Sequence, residues 1–293
     1  MQNSTSQVAA GPQRRTAHVI HYNLSYIVQG EEHGPDGAIV LLHDLPSGAF
    51  TWEPVLPQLA GTQRAVYAVD MLGYGLSERP WPSDTSVWGH ADDLNFLFQQ
   101  LGLTNIVLVG VGVGGGVAQV LATRLARDRV AALVLINTVC YQYNFAPNWP
   151  LPDMEKRQDP DLPRRTPLDD FIKDLRNTLP QGSANGNAFE QVLNNYVDQW
   201  DSELGKEMLY QHIRLLIPGY SNSVSSDLKV MGKPTLIIWS EDDQQFPLKY
   251  GQRLHREIPD SQLVTVPGAG HLILFDAPGA VADALNNFIG GLS

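Results

Sequence analysis

The chain has 293 residues, 43% hydrophobic and 17% charged, so it is too apolar for a disordered protein and long enough to bury a substantial core. Its net charge is −11 and its 20 Lys and Arg never stand more than two in a row, which argues against nucleic acid or an anionic membrane as the main partner. The one cysteine, Cys140, excludes an intrachain disulfide and points to a reducing, cytoplasmic setting.

Residues 1–15, MQNSTSQVAAGPQRR, are polar and lack an apolar core, so they read as a loose tail and not as a secretory signal. No stretch approaches the ~18 apolar residues of a membrane helix. Period-two alternation predicts strands over 16–21 and 24–29. The apolar run AIVLL at 38–42 reads as a strand buried on both faces, ending at His43-Asp44. A similar run at 65–69 ends at Asp70. A helix is expected over 85–101, with Gly102 as its C-cap. A strand at 105–109 then runs straight into the glycine cluster GVGVGGG at 110–116, followed by a helix to about 127 and a strand at 131–136.

From Asn137 to about 226 strand signals disappear, and Pro, Asn, aromatic and charged residues become frequent. Helical patterns at 168–179 and 188–216 are separated by Pro180-Gln181-Gly182. Alternation then resumes, with strands at 234–239 and 262–266 and helices at 248–257 and 280–289. The expected fold class is α/β: a mostly parallel sheet with helices on both faces and an inserted helical cap. Residues 16–137 and 227–293 form the core in this reading, and 138–226 form a lid over the carboxyl ends of the strands, where such sheets bind ligands.

Four segments carry the chemistry: LLHDLPSGAFTW, LVGVGVGGGVAQ, IIWSEDDQQFP and PGAGHLILFDAP, with DMLGYGLS as a further loop after the 65–69 strand. In this order and spacing they resemble the α/β-hydrolase superfamily, in particular its epoxide-hydrolase and haloalkane-dehalogenase-like branch. The resemblance implies an oxyanion loop with its His-Gly pair changed to His43-Asp44, then a nucleophile elbow, an acid loop and a histidine loop. It assigns His271 as base and Asp243 as the acid that orients it, with Glu241 and Asp242 as solvated neighbours. His212 and His255 are expected to be packed or surface histidines.

The elbow departs from the pattern. The frame Gly110-Val111-Gly112-Val113-Gly114 is intact, but Gly112 stands where Ser, Cys or Asp should attack, so no covalent intermediate is expected at that position. The missing side chain leaves space for a water or for deeper entry of a substrate. Ser47, Ser77, Ser240 and Cys140 are weak substitutes; strand-end loops are rich in serine for turn reasons, and a buried thiol is the better reading of Cys140. The backbone N–H groups of Leu45 and Val113 are expected to form an oxyanion hole, since they do not depend on side-chain identity. Leu45 and Val113 also stand where a dehalogenase would place halide-binding side chains, which argues against dehalogenation. Tyr141, Tyr143, Tyr196, Tyr210 and Tyr220 are available as lid phenols for an epoxide oxygen.

The resulting expectation is an enzyme of hydrolase or lyase type. It would act without a covalent nucleophile, through a His271–Asp243 general-base dyad, with no metal and no cofactor. A catalytically silent binding protein and an inactivated variant of an ordinary hydrolase are the alternatives. The partner is a small molecule, made apolar and of moderate size by Phe145, Trp149, Phe189 and Trp200 of the lid, and the assembly a monomer or homodimer.

Overall fold

Five-residue apolar runs flanked by turns become the centre of an eight-stranded sheet in the computed structural model, which describes residues 11–30, 37–141, 158–184 and 186–292. The strands are β1 (Gln13–Val19), β2 (Tyr22–Gln29), β3 (Ala38–Leu42), β4 (Ala65–Val69), β5 (Ile106–Val111), β6 (Val130–Ile136), β7 (Thr235–Ser240) and β8 (Ser261–Val266). Their spatial order is β1-β2-β4-β3-β5-β6-β7-β8. β1 and β2, and β2 and β4, pair antiparallel; every other neighbour pair is parallel.

Successive side chains of a strand point to opposite faces, so the apolar runs feed two cores. On β3, Val40 and Leu42 join one buried cluster while Ile39 and Leu41 join the other. The first cluster is covered by α1 (Val87–Gln100) and α2 (Val113–Val120), the second by the C-terminal helix Pro278–Gly290. Both faces of β3 are therefore dry, which is why its sequence is continuous rather than alternating. Ser86 caps α1 by accepting a hydrogen bond from Gly89 N at 3.1 Å.

Between β6 and β7 lie α3 (Leu168–Thr178), α4 (Leu193–Asp198) and α5 (Glu203–Arg214). They rest on the loops that follow β3, β4 and β8. Trp200 Nε1 and Gln199 Nε2 both donate to Pro46 O, at 3.0 and 2.9 Å. Gly75 N donates to Gln199 Oε1, and Leu272 N to Gly182 O. This segment thus sits over the carboxyl ends of the strands. Among the described residues no helix is long and apolar enough to cross a membrane.

Two boundaries differ from the sequence pattern. β1 begins at Gln13, inside the stretch read as tail, because Gln13, Arg14 and Arg15 pair with Val28, Ile27 and Tyr26 across an exposed edge that needs no apolar residues. Arg14 is tied down further, by Asp70 Oδ2 at 2.6 Å and Ser25 Oγ at 2.8 Å. The helix expected over 188–216 is three pieces, Gly186–Glu190, α4 and α5. Ser202, in extended conformation, breaks the run and caps α5 by accepting from Gly205 N at 2.9 Å. Phe189 and Trp200 are fully buried in the main core. Tyr143, Phe145 and Trp149 lie outside the described residues.

Candidate active site

Each strand end delivers one part of the site. β7 leads into a loop in which Glu241 and Asp242 are exposed and Asp243 is buried. Asp243 Oδ1 accepts from the backbone N–H of Gln245 and Phe246, at 2.7 and 2.9 Å, and Oδ2 lies 3.0 Å from His271 Nδ1. The carboxylate is thus fixed through both of its oxygens. His271 follows β8 and is 5% exposed, with the Phe246 ring packed edge-on against it at 5.2 Å. Asn137, at the end of β6, links the two loops: its Nδ2 donates to Ser240 Oγ, Gly270 O and His271 O, and its Oδ1 accepts from Ser240 N.

At the end of β5 the chain turns at Gly112, with φ 54° and ψ −119°, and enters α2 at Val113. Gly114 lets this turn lie against β3; a Cβ there would come within 2.4 Å of His43 O. The space opposite Gly112, expected to be open, is filled. A Cβ on Gly112 would sit 1.9 Å from Asp44 Cγ, so the Asp44 carboxylate occupies the place of an elbow side chain.

Asp44 is held there from several directions. Its Oδ1 accepts from Leu45 N at 2.8 Å and from Val113 N at 2.7 Å. The two backbone donors read as an oxyanion hole do converge, but on a carboxylate of the protein itself. Oδ2 lies 3.0 Å from His271 Nε2. The Asp44 backbone is equally constrained: its carbonyl accepts from Ser47 N, Ser47 Oγ and His43 Nδ1. Met71 N donates to His43 Nε2 at 3.1 Å, which fixes the neutral tautomer, and burial holds the His43 pKa below its usual value.

His271 therefore lies between two carboxylates, each 3.0 Å from one ring nitrogen. Burial alone would lower its pKa. The charge and hydrogen bond of Asp243, reinforced by Asp44, outweigh burial and raise the pKa to about 10. At neutral pH the ring is an imidazolium donating to both partners. Asp44 and His271, with Thr51, Val111, Tyr196 and Leu272 among their neighbours, border a cavity of about 20 Å³, room for a single water. Tyr196 OH and Thr51 Oγ1 are 3.1 Å apart at its wall.

The family model for the alpha/beta hydrolase fold matches residues 37–278. The chain belongs to that family. It is 28% identical over 267 residues to haloalkane dehalogenase 2 of Mycobacterium tuberculosis, covering 87% of this chain and 88% of that protein. It is 26% identical over 262 residues to the AB hydrolase superfamily protein YisY of Bacillus subtilis, covering 85% and 92%. Among solved structures, the haloalkane dehalogenase DbeA of Bradyrhizobium elkani superposes with a TM-score of 0.82 at 19% identity, covering 96% of this chain and 98% of that one. An α/β-hydrolase-fold protein of Burkholderia ambifaria gives 0.80 at 23%, covering 93% and 99%.

Within this α/β-hydrolase framework the serine candidates are engaged elsewhere and the cysteine is buried. Ser47 Oγ donates to Asp44 O, Ser77 Oγ to Asp70 O, and Ser240 Oγ accepts from Asn137. Burial pushes the Cys140 thiol pKa far up, so the thiolate is suppressed. Of the tyrosines, Tyr196 reaches the cavity; Tyr141 donates to Glu257 and Tyr210 packs against Phe171. His255 contacts Ser261 at the surface, and His212 is buried in a stack on Tyr74. Asp44, His43 and Asn137 are the site residues that motif reading misses. The one signal for Asp44 is the coincidence of two departures from the resemblance: an acid where an oxyanion loop is expected to have glycine, and glycine where an elbow is expected to have a nucleophile.

Proposed function

We propose that the protein is a hydrolase of a small, moderately apolar molecule, with His271 as the proton-transferring group and Asp243 as its orienting acid. One observation carries this reading. A buried imidazole has each nitrogen 3.0 Å from a carboxylate and borders a water-sized cavity at the strand ends of an α/β-hydrolase sheet. A protein that only binds its ligand has no chemical use for this costly alignment, because buried charges are retained only when paired. The similarity to haloalkane dehalogenases supports the reaction class. Their halide chemistry is a poor fit here, because Leu45 and Val113 offer aliphatic side chains where halide-binding groups are needed.

Occupation of the Leu45 and Val113 donors by Asp44 disfavours the simplest non-covalent route, in which a substrate carbonyl oxygen enters a preformed hole. The test is hydrolysis of a panel of p-nitrophenyl esters and aryl epoxides by wild type and His271→Ala. Removing the proton-transfer group is expected to lower kcat/KM by roughly 10²–10⁴-fold. Equal background rates from both proteins, with ligand-dependent thermal stabilisation, would favour a silent binding protein instead.

A further inference from the structure

We propose that Asp44 is the covalent nucleophile of a two-step hydrolysis at a saturated carbon, moved from the elbow onto the loop after β3. This rests on the hydrolase reading above and adds the attacking atom and the substrate class.

Asp44 Cγ overlaps the site of a Gly112 side chain, so the carboxylate stands where an elbow nucleophile would stand, reached from the opposite side of the cleft. Its two oxygens are unlike. Oδ1 is pinned by Leu45 N and Val113 N and cannot attack without losing both bonds. Among the described residues Oδ2 has the single hydrogen bond to His271 Nε2, and Asp44 borders the cavity. Oδ2 is therefore the attacking oxygen.

The substrate class follows from what the donors already hold. Attack on an acyl carbon generates an oxyanion on the substrate, which needs the two N–H groups that Oδ1 occupies. Attack on a saturated carbon puts no oxyanion there. The donors become useful only afterwards, when water attacks Cγ of the resulting ester and negative charge develops on Oδ1, already between them. The reaction is thus an alkylation of Asp44 followed by hydrolysis of the alkyl ester.

With an epoxide the first step is a displacement at carbon. Oδ2 forms a bond to a ring carbon while the C–O bond of the ring breaks, its electron pair going to the departing oxygen. That oxygen takes the proton of His271 Nε2, leaving a neutral imidazole. The neutral imidazole then takes a proton from water as the hydroxide adds to Cγ. The tetrahedral intermediate collapses by breaking the Cγ–Oδ2 bond, and the new carboxyl proton passes to the product alkoxide. Asp44 ends as a carboxylate, His271 as an imidazolium, and the diol carries away the original Oδ2. The elevated pKa of His271 supports the acid role in the first step, and its loss of one carboxylate neighbour on ester formation supports the base role in the second.

The experiment is a single turnover of styrene oxide, enzyme in excess, in water enriched in the heavy oxygen isotope. The Asp44 peptide is expected to gain one heavy oxygen while the first-turnover diol stays unlabelled, and the isosteric Asp44→Asn is expected to lose roughly 10⁴–10⁶-fold in rate. A labelled diol with unlabelled Asp44 would overturn the nucleophile and leave the hydrolase reading standing. A second measurement does not depend on turnover. Phenacyl bromide, whose bromide leaves without a proton, is incubated with His271→Gln, and the adduct is located by peptide mass spectrometry. Accumulation on Asp44, absent when Asp44→Asn is combined with His271→Gln, supports Asp44 as the nucleophile; should no epoxide be turned over as well, the hydrolase reading fails and the second step with it. Adducts elsewhere, or none, refute the proposal.

Discussion

Replacing Gly112 by alanine adds one carbon atom, and the structure states where that carbon goes: 1.9 Å from Asp44 Cγ and 2.1 Å from each of its oxygens. Two costs arise. An alanine at φ 54°, ψ −119° is strained by about 1–3 kcal/mol. Relieving the overlap means moving Asp44 off its hydrogen-bonded seat, an overpacking cost of about 1–3 kcal/mol, since the Asp44 backbone is clamped by Ser47 and His43 and cannot retreat. Gly112→Ala is therefore expected to destabilise by about 2–6 kcal/mol, read as a lower urea midpoint with the slope unchanged. In an Asp44→Gly background the overlap disappears and only backbone strain remains, so the same substitution should cost at least ~1 kcal/mol less. If Gly112→Ala is within ~0.5 kcal/mol of wild type, or if its cost is the same in both backgrounds, the claim that Asp44 fills the elbow position is wrong.

Further outcomes follow from the charges. The His271 pKa is raised to about 10, so its stabilising contribution is complete below about 6.5 and is lost as pH rises through about 10; NMR titration should find the imidazolium into that range, with an earlier transition in Asp44→Asn. Burial depresses His43, His90 and His212, His90 to about 3, so their contribution is present above 6.5 and drains away as pH falls below it. Among the described residues both buried ring nitrogens of His90 lack a hydrogen-bond partner, so His90→Leu should fold and flatten the acid limb of a Tm-versus-pH curve; an unchanged acid limb counts against this. Burial, then Asp92 and Asp84, raise Asp93 to about 7, so Asp93→Asn is expected to raise Tm on the alkaline side of that value and leave it unchanged well below 3.8. Asp243→Asn should lower kcat by roughly 10²–10⁴-fold while CD and KM change little, since it removes the partner that orients and charges His271.

Much of the fold is legible because the physics that builds it is local. AIVLL, the run into the glycine cluster and the strand at 131–136 are dry on both faces, and dryness leaves a direct mark on composition. β1 leaves no such mark, since its arginines lie on an exposed edge. The split of the 188–216 helix depends on whether Ser202 caps a new helix or continues an old one, which tertiary contacts at Trp200 and Pro46 decide. The Asp243–His271 pairing is readable because each residue sits in its own loop signature. Asp44 is a different case. Glycine at the elbow reads as a loss when taken alone, and aspartate after His43 reads as a loop substitution. Only the distance between them turns two oddities into one exchange.

That exchange has a consequence for the history open to such a chain. An ancestor with the carboxylate on the elbow and glycine on the neighbouring loop cannot reach the present arrangement by one codon at a time without passing through a form with two acids crowded into the volume of one, or a form with none. The first pits like charges against each other in a buried space; the second has no carboxylate beside the imidazole. Gly112 and Asp44 are therefore expected to behave as a linked pair, each side chain fitting only with the other in place.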